Sequence, residues 1–153
     1  MTSRLVSAHE EAGGSPGLLL WQVTNRWQAA IRKTLKEFGL THVQFVLLAS
    51  LTWMNADGPV TQRALADHAA TDPMMTSQVL RTLERLDYVR RTGHPVDKRA
   101  WSLTVTPEGA ALANRANAAV EACDEAFFSG LGNVREAFTD GLRRLGPAGG
   151  EGR

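Results

Sequence analysis

Cysteine, charge of one sign and long apolar runs are all scarce in this sequence of 153 residues. The one cysteine, Cys123, excludes a disulfide within the chain and a metal site built from several thiolates, and it fits a reducing compartment. Lys and Arg number 17 against 16 Asp and Glu, which excludes a protein that coats polyanions through its overall charge. No apolar run of about 18 residues and no secretory signal is present, so we predict a cytoplasmic protein without a membrane partner.

Motifs of catalysis and of metal binding are also missing. The sequence contains no nucleophile elbow, no Gly-Lys phosphate loop and no paired carboxylates in an apolar setting. Its four histidines are scattered without the spacing of two ligands on one helix, so no zinc site is expected. We therefore predict a protein that is not an enzyme, with no catalytic residue, no cofactor and no metal.

The length and an apolar fraction of 43% are sufficient for one folded domain. Cap residues, prolines at helix starts and apolar periodicity predict six helices. The predicted starts are Ser15, Thr41, Thr61, Asp72, Thr106 and Val134. The predicted ends of the first four helices are Gly39, Met54, Ala70 and Leu86. Residues 1–14 and 147–153 are predicted to be disordered or flexible ends.

The fourth predicted helix, residues 73–86, divides into two faces. We expect burial of its apolar face, made of Thr76, Val79, Leu80, Leu83 and Leu86. The opposite face is polar and long-armed, with Met74, Ser77, Gln78, Arg81 and Arg85. Two extended runs follow, residues 88–92 and 100–105, and predict a two-stranded hairpin. Residues 76–105 contain six Lys and Arg and three Asp and Glu, which gives this segment a net charge of about +3.

This order of elements predicts a mainly α fold with a small β-hairpin wing, a winged helix-turn-helix. The major groove of B-DNA is about 12 Å wide and admits one helix. Arg81 can pair with guanine and Gln78 with adenine, Ser77 can bond a base or a phosphate, and Met74 can contact a thymine methyl group. The hairpin residues Arg90, Arg91, Lys98 and Arg99 are predicted to contribute to a phosphate footprint, and Arg85 of the polar face is a further predicted DNA-binding residue.

These residues also allow other interpretations. The polar face could be a solvated helical surface, although the adjoining hairpin favours DNA. The protein could also be an architectural DNA-binding protein without sequence preference, or a helical dimer that acts through protein contacts alone.

The residues also resemble the MarR-type family of bacterial transcriptional regulators. GLTHVQFVLLASL is similar to the second helix of that family, and LADHAATDPMMTSQVLRTLERLDYVRR to its helix-turn-helix. HPVDKRAWSLTVTPEGAAL is similar to its wing signature, in which Asp-x-Arg is followed by Thr-x-x-Gly. Asp97, Arg99, Thr106 and Gly109 occupy those positions. The resemblance covers about residues 18–145.

The resemblance implies a homodimer whose helical dimerisation region comprises residues 15–40 and 107–146. Residues 41–106 then form the DNA-binding region, and two copies read a pseudo-palindromic operator with recognition helices about 34 to 36 Å apart. The resemblance further implies that Arg99 enters the minor groove and that Asp97 orients the arginine of the wing. Members commonly repress genes, and many are released from DNA by a small aromatic or phenolic effector.

One residue departs from the family pattern, and two other features each have two possible roles. Asp87 stands where the family has glycine at the end of the recognition helix, and we expect it to adopt the left-handed conformation. Cys123 could be a redox switch, but its apolar stripe favours a small buried hydrophobic residue. Trp21, Trp27 and Trp53 could line an effector pocket, although helical spacing is more typical of core or interface.

Overall fold

The computed structural model describes residues 4–93, 96 and 101–147. Its helices are α1 (Pro16–Leu35), α2 (His42–Met54), α3 (Gln62–Ala69), α4 (Pro73–Arg85), α5 (Pro107–Phe128) and α6 (Arg135–Leu145). Its strands are β1 (Val60–Thr61), β2 (Val89–Gly93) and β3 (Trp101–Val105). Short 3-10 turns occupy Ala12–Gly14, Lys36–Phe38, Asn55–Asp57 and Ser129–Val134. All six predicted helices are present, with ends that differ from the prediction by a few residues.

The first five predicted caps each accept a hydrogen bond from the first turn of their helix. The caps of α1, α2, α3, α4 and α5 are Ser15, Thr41, Thr61, Asp72 and Thr106. At α2 the two residues form a complete capping box. Gln44 N donates to Thr41 Oγ1 at 3.2 Å, and Thr41 N donates to Gln44 Oε1 at 3.0 Å. These bonds satisfy N–H groups that no carbonyl of the helix can reach.

The sheet has three strands in the order β1-β3-β2, both pairs antiparallel. The predicted hairpin is confirmed, since β2 and β3 pair antiparallel. The sheet has one further strand, β1, which the sequence analysis did not predict. Val60 pairs with Leu103 and Thr61 with Ser102, so β3 is the central strand. Two residues are too few to show alternation, and their partners lie far along the chain. The pairing fixes the wing to the start of α3.

The core is centred on α2, whose Leu47, Leu48 and Leu51 are fully buried. They pack in one cluster with residues from α1, α3, α4, α5 and the sheet. On α4 Thr76, Leu80 and Leu83 are buried and Val79 is half-buried, as predicted. Leu86 was predicted to be buried, but it is 50% exposed. It follows the last helical residue, and the chain reverses direction at Asp87.

The junction between α4 and the wing depends on Asp87 and the Thr-x-x-Gly motif. Asp87 has the expected left-handed conformation, with φ 62°. Thr106 Oγ1 donates to the Asp87 carbonyl at 2.7 Å, and Thr106 N donates to Tyr88 O at 3.0 Å. A Cβ on Gly109 would lie 2.2 Å from Tyr88 O, so the close approach requires glycine. The end of α4 is thereby held against the start of α5.

A side chain at the end of α2 supports the wing from the other direction. Asn55 Nδ2 donates to Gly58 O at 3.0 Å and to Leu103 O at 3.1 Å. Asn55 Oδ1 accepts from Val105 N at 2.8 Å. One amide therefore joins the turn after α2 to the central strand, a role that the sequence analysis did not assign.

The two predicted flexible ends are described in part. Residues 4–14 are exposed and contain one 3-10 turn, Ala12–Gly14. Residues 1–3 and 148–153 lie outside the described residues. None of the described helices combines the length and the apolar character that a membrane crossing requires.

Candidate nucleic-acid interface

The outer face of α4 presents the side chains that were predicted to read bases. Met74 is 75% exposed, and Gln78, Arg81 and Arg85 are exposed, whereas Ser77 is half-buried. The inner face is anchored at Thr76, which is fully buried. Its Oγ1 donates to Asp72 O at 2.8 Å and lies 2.7 Å from Thr71 Oγ1. The helix is thus fixed on one side and open on the other.

A shallow groove runs along this outer face between Gln78, Arg81 and Arg85. Arg85 Nη2 donates to Thr82 Oγ1 at 3.1 Å, and Thr82 Oγ1 donates to Gln78 O at 3.4 Å, so Arg85 is braced along the helix. Neither the Gln78 amide nor the Arg81 guanidinium has a partner among the described residues. Their donors and acceptors are available to a ligand.

The two predicted arginines of β2 differ in their surroundings. Arg90 is exposed, whereas the Arg91 side chain is 16% exposed and its Nη2 lies 3.3 Å from Glu84 Oε2. The Arg91 guanidinium lies over the Trp101 ring, 5.7 Å from its centroid. Within the described part of the chain, Nε and Nη2 of Arg91 have no hydrogen-bond partner, so the contact with Glu84 is an ion pair without hydrogen-bond geometry. Arg91 joins α4 to the wing, and its predicted DNA contact stays a prediction.

A second concave surface lies between α3, the first turn of α4 and the wing. It brings together two predicted residues, Ser77 and Arg91, with Gln62 and Arg63, which the sequence analysis missed. The guanidinium, amide and hydroxyl donors gathered here can bind phosphate oxygens. The position of Arg63 in the first turn of α3, two residues after the Thr61 cap, is the sequence signal that could have identified it.

Three predicted wing residues, Asp97, Lys98 and Arg99, lie outside the described residues. The predicted minor-groove contact of Arg99 and the orienting role of Asp97 therefore stay predictions.

The three tryptophans that could line an effector pocket or belong to the core or interface differ in their exposure. Trp21 is 69% exposed and Trp53 is 78% exposed, so neither belongs to the core of this chain. Trp27 is half-buried between α1, α2 and α5, and its Nε1 donates to Asp124 Oδ1 at 2.7 Å. Its ring meets His42 edge-on, with centroids 5.2 Å apart.

The environment of His42 lowers the pKa of its imidazole. Burial lowers the pKa of this imidazole, the positive charge of Arg32 lowers it further, and the Asp124 carboxylate opposes them. Cys123, next to Asp124, is half-buried and packs against the core, as expected of a small hydrophobic residue. Its redox chemistry stays a prediction.

Comparison with known proteins identifies the family. The model of the MarR family matches residues 40–101, from the start of α2 into β3. A HTH-type transcriptional regulator of Bacillus subtilis, YdcH, is 46% identical over 132 residues, which are 86% of this chain and 89% of that protein. The chain belongs to the MarR family. The predicted family of winged helix-turn-helix regulators is thereby confirmed.

Two further proteins are similar over most of their length. The HTH-type transcriptional repressor Rv2887 of Mycobacterium tuberculosis is 35% identical over 131 residues, 85% of this chain and 92% of that protein. Its crystal structure in complex with salicylic acid has a TM-score of 0.65, covering 87% of this chain and 97% of that chain. BpsR of Bordetella bronchiseptica, whose DNA binding is regulated by 6-hydroxynicotinic acid, has a TM-score of 0.82 at 25% identity, covering 92% and 99%. The predicted fold class is confirmed.

Proposed function

We propose that this MarR-family chain is a homodimeric repressor that binds a pseudo-palindromic operator in double-stranded DNA. The observation that carries the proposal is the outer face of α4, where Gln78 and Arg81 are exposed and have no side-chain partner among the described residues, on a helix whose inner face is buried. Exposed polar side chains on a helix can pair with neighbours three or four positions away. Here the long donors remain free beside a basic wing.

Base recognition is assigned to the four residues on the first three turns of that face. Arg81 donates two hydrogen bonds to guanine O6 and N7, and Gln78 pairs with adenine N6 and N7. Ser77 bonds a base edge or a phosphate, and Met74 packs on a thymine methyl group. Each well-formed bidentate pair discriminates against a wrong base by about 1 to 3 kcal/mol.

Backbone contacts are assigned to the basic residues around that helix. Arg85 and Arg90 are exposed at the end of α4 and on β2. Arg91 is assigned a phosphate contact on the basis of its place on β2, while its ion pair with Glu84 holds the wing against α4. Lys98 and Arg99 follow the family pattern, in which Arg99 enters the minor groove and Asp97 orients the arginine of the wing.

Dimer formation is assigned to the ends of the chain. Large apolar side chains lie exposed on α1, before and within α6, where a second copy can cover them. They are Leu18, Leu19, Leu20, Trp21, Val23, Val134, Leu142 and Leu145. In a dimer with a twofold axis, the two α4 helices can each bind one half-site of a palindromic operator.

Release from DNA is assigned to a small aromatic effector, because Rv2887 was crystallised with salicylic acid and BpsR is regulated by 6-hydroxynicotinic acid. The protein acts in the cytoplasm and needs no catalysis, cofactor or metal for this function. An effector that binds the DNA-free state more tightly shifts the population away from the operator.

The test is selection of genomic DNA fragments with the purified protein, followed by salt titrations on the selected site and on a shuffled duplex. We expect the selected palindrome to bind at least about 10³-fold more tightly than the shuffled one. Arg81→Ala should lose discrimination at one base pair of each half-site, whereas Arg115→Ala, an exposed arginine of α5, should retain it. Equal affinity for both duplexes would instead indicate an architectural protein, and no binding at low salt would indicate a dimer that acts through protein contacts.

A further inference from the structure

A groove of about 620 Å³ lies between α2, α3 and α5, and none of its described lining residues belongs to α4. Trp53 at the end of α2 forms one wall and His68 of α3 lies beside it. Glu121 of α5 also lines the groove. Trp53 is 78% exposed, more than any other tryptophan here, although it lies on a helix whose other large residues build the core. Nothing in the DNA-binding assignment uses it.

Three polar side chains of this groove each use one donor within the chain and keep an oxygen that can accept a hydrogen bond. Asn117 Nδ2 donates to Glu121 Oε1 at 2.9 Å. Asn114 Nδ2 donates to Ala110 O at 2.8 Å, and Thr52 Oγ1 donates to Leu48 O at 2.7 Å. Amide carbonyls, hydroxyl lone pairs and the Glu121 carboxylate remain to face a ligand. A ligand that carries positive charge or N–H donors fits these groups.

The charge of the lining is also of one sign. Glu121 is an acid, and the described lining residues include neither Lys nor Arg. A neighbouring groove shares Trp53 and His68 and adds a second carboxylate, Asp57. Exposed carboxylates around an aromatic face attract cations and repel anionic carboxylates at short range.

We propose that this groove binds a planar aromatic cation, stacked on the Trp53 indole with its positive charge toward Glu121. A tryptophan face is the strongest aromatic partner for a cation, and cages of this kind recognise quaternary ammonium groups. The groove volume is within the range of small-molecule sites. The ligand class differs from salicylic acid and 6-hydroxynicotinic acid, which are acids. An effect of this ligand on transcription rests on the proposed function, whereas binding itself does not.

The test follows the indole N–H signals of the four tryptophans in the ¹⁵N-labelled full chain. Trp53→Phe identifies the signal of Trp53 by its loss. N-methylquinolinium is the cationic probe, 2-naphthoate is a planar anion of similar size, and both are titrated at pH 8, where an ordinary imidazole is neutral. We expect N-methylquinolinium to shift the Trp53 signal saturably and 2-naphthoate to bind at least about 5-fold more weakly.

Variants of the acid decide the role of charge. Glu121→Gln should weaken N-methylquinolinium about 2- to 5-fold, and Glu121→Lys should reverse the preference toward 2-naphthoate. The matched control is Glu108→Gln, an exposed acid of the same helix outside the groove, which should leave both affinities unchanged. The proposal is overturned if neither probe shifts the Trp53 signal, or if 2-naphthoate binds the unmodified chain as tightly as the cation. These readouts contain no DNA, so failure here and failure of operator binding are distinct results.

Discussion

Ala70 occupies a backbone conformation that favours glycine, with φ 52° and ψ 41° at the end of α3. The left-handed region costs an L-residue about 1 to 2 kcal/mol, while glycine loses about 0.4 to 1 kcal/mol more in folding entropy than alanine. Ala70→Gly should therefore raise the free energy of unfolding by about 0.5 to 1 kcal/mol in urea titrations. Ala111→Gly, exposed within α5, should lower it by about 1 kcal/mol. A loss of stability in both variants would contradict the strain at Ala70.

The two left-handed residues show what a single position reveals in the sequence. Asp87 could be predicted, because it stands where the resembling family has glycine and its residue type tolerates this conformation. Ala70 could not, because alanine is a strong helix former and the run Ala69-Ala70 reads as more helix. The end of α3 near Ala70 could be predicted, because the cap Asp72 of the next helix follows, but the left-handed conformation of Ala70 has no such local signal.

His42 makes the stability of the fold depend on pH. Its pKa is lowered in the folded chain, by burial first and by Arg32 second, so the folded state binds a proton less readily than the unfolded one. The stabilisation is complete above the ordinary value of 6.5 and is lost as pH falls through the lowered value. At fixed protein concentration, the urea midpoint of unfolding should therefore decrease as the pH is lowered from about 7.5 to about 5.5.

Removal of the imidazole isolates this contribution. His42→Gln should show a smaller decrease of the urea midpoint over the same pH interval. His9→Gln, at an exposed position, should keep the decrease of the unmodified chain. An identical decrease in His42→Gln would assign the pH dependence to other groups.

At the scale of elements, Asn55 is the joint between α2 and the sheet. Asn55→Ala removes two donated bonds and one accepted bond, and leaves Val105 N and Leu103 O without this partner. We expect a loss of about 2 to 4 kcal/mol in the free energy of unfolding, because unsatisfied buried groups cost about 1 to 3 kcal/mol each and part of them rehydrate. Asn25→Ala, which removes one exposed bond to Trp21 O, should change stability by less than about 0.5 kcal/mol.

Elements fixed by local signals were predictable, and those fixed by distant partners were not. The caps at Thr41 and Asp72 depend on residues three positions away, so the helix starts agree with the sequence analysis. The strand β1 exists through its pairing with β3, and Asn55 acts through the same strand. Neither relation leaves a periodic trace in the chain.

The same distinction applies to the candidate site. The outer face of α4 follows from helical periodicity, so the exposure of Gln78 and Arg81 could be predicted. Arg91 could not be distinguished from Arg90, because its half-burial depends on Glu84 and Trp101. A basic residue on a strand contacts DNA or a neighbouring element according to packing, which composition does not record.

At the scale of the whole molecule, the exposed apolar residues of α1 and α6 separate a dimer from a monomer. Leu142 is 44% exposed on α6, and Leu86 is 50% exposed at the end of α4. If the proposed dimer covers α6, Leu142→Glu places a carboxylate in an apolar interface, and the desolvation of that charge opposes association. Leu86→Glu adds the same charge outside it and is the matched control.

Sedimentation velocity at low micromolar concentration measures the difference. The unmodified chain and Leu86→Glu should sediment as dimers, whereas Leu142→Glu should shift toward the monomer. Because two recognition helices about 34 to 36 Å apart are needed to span a palindrome, the monomeric variant should also bind a full operator no more tightly than a single half-site. A Leu142→Glu protein that remains dimeric and keeps its preference for the full operator would move the interface away from α6.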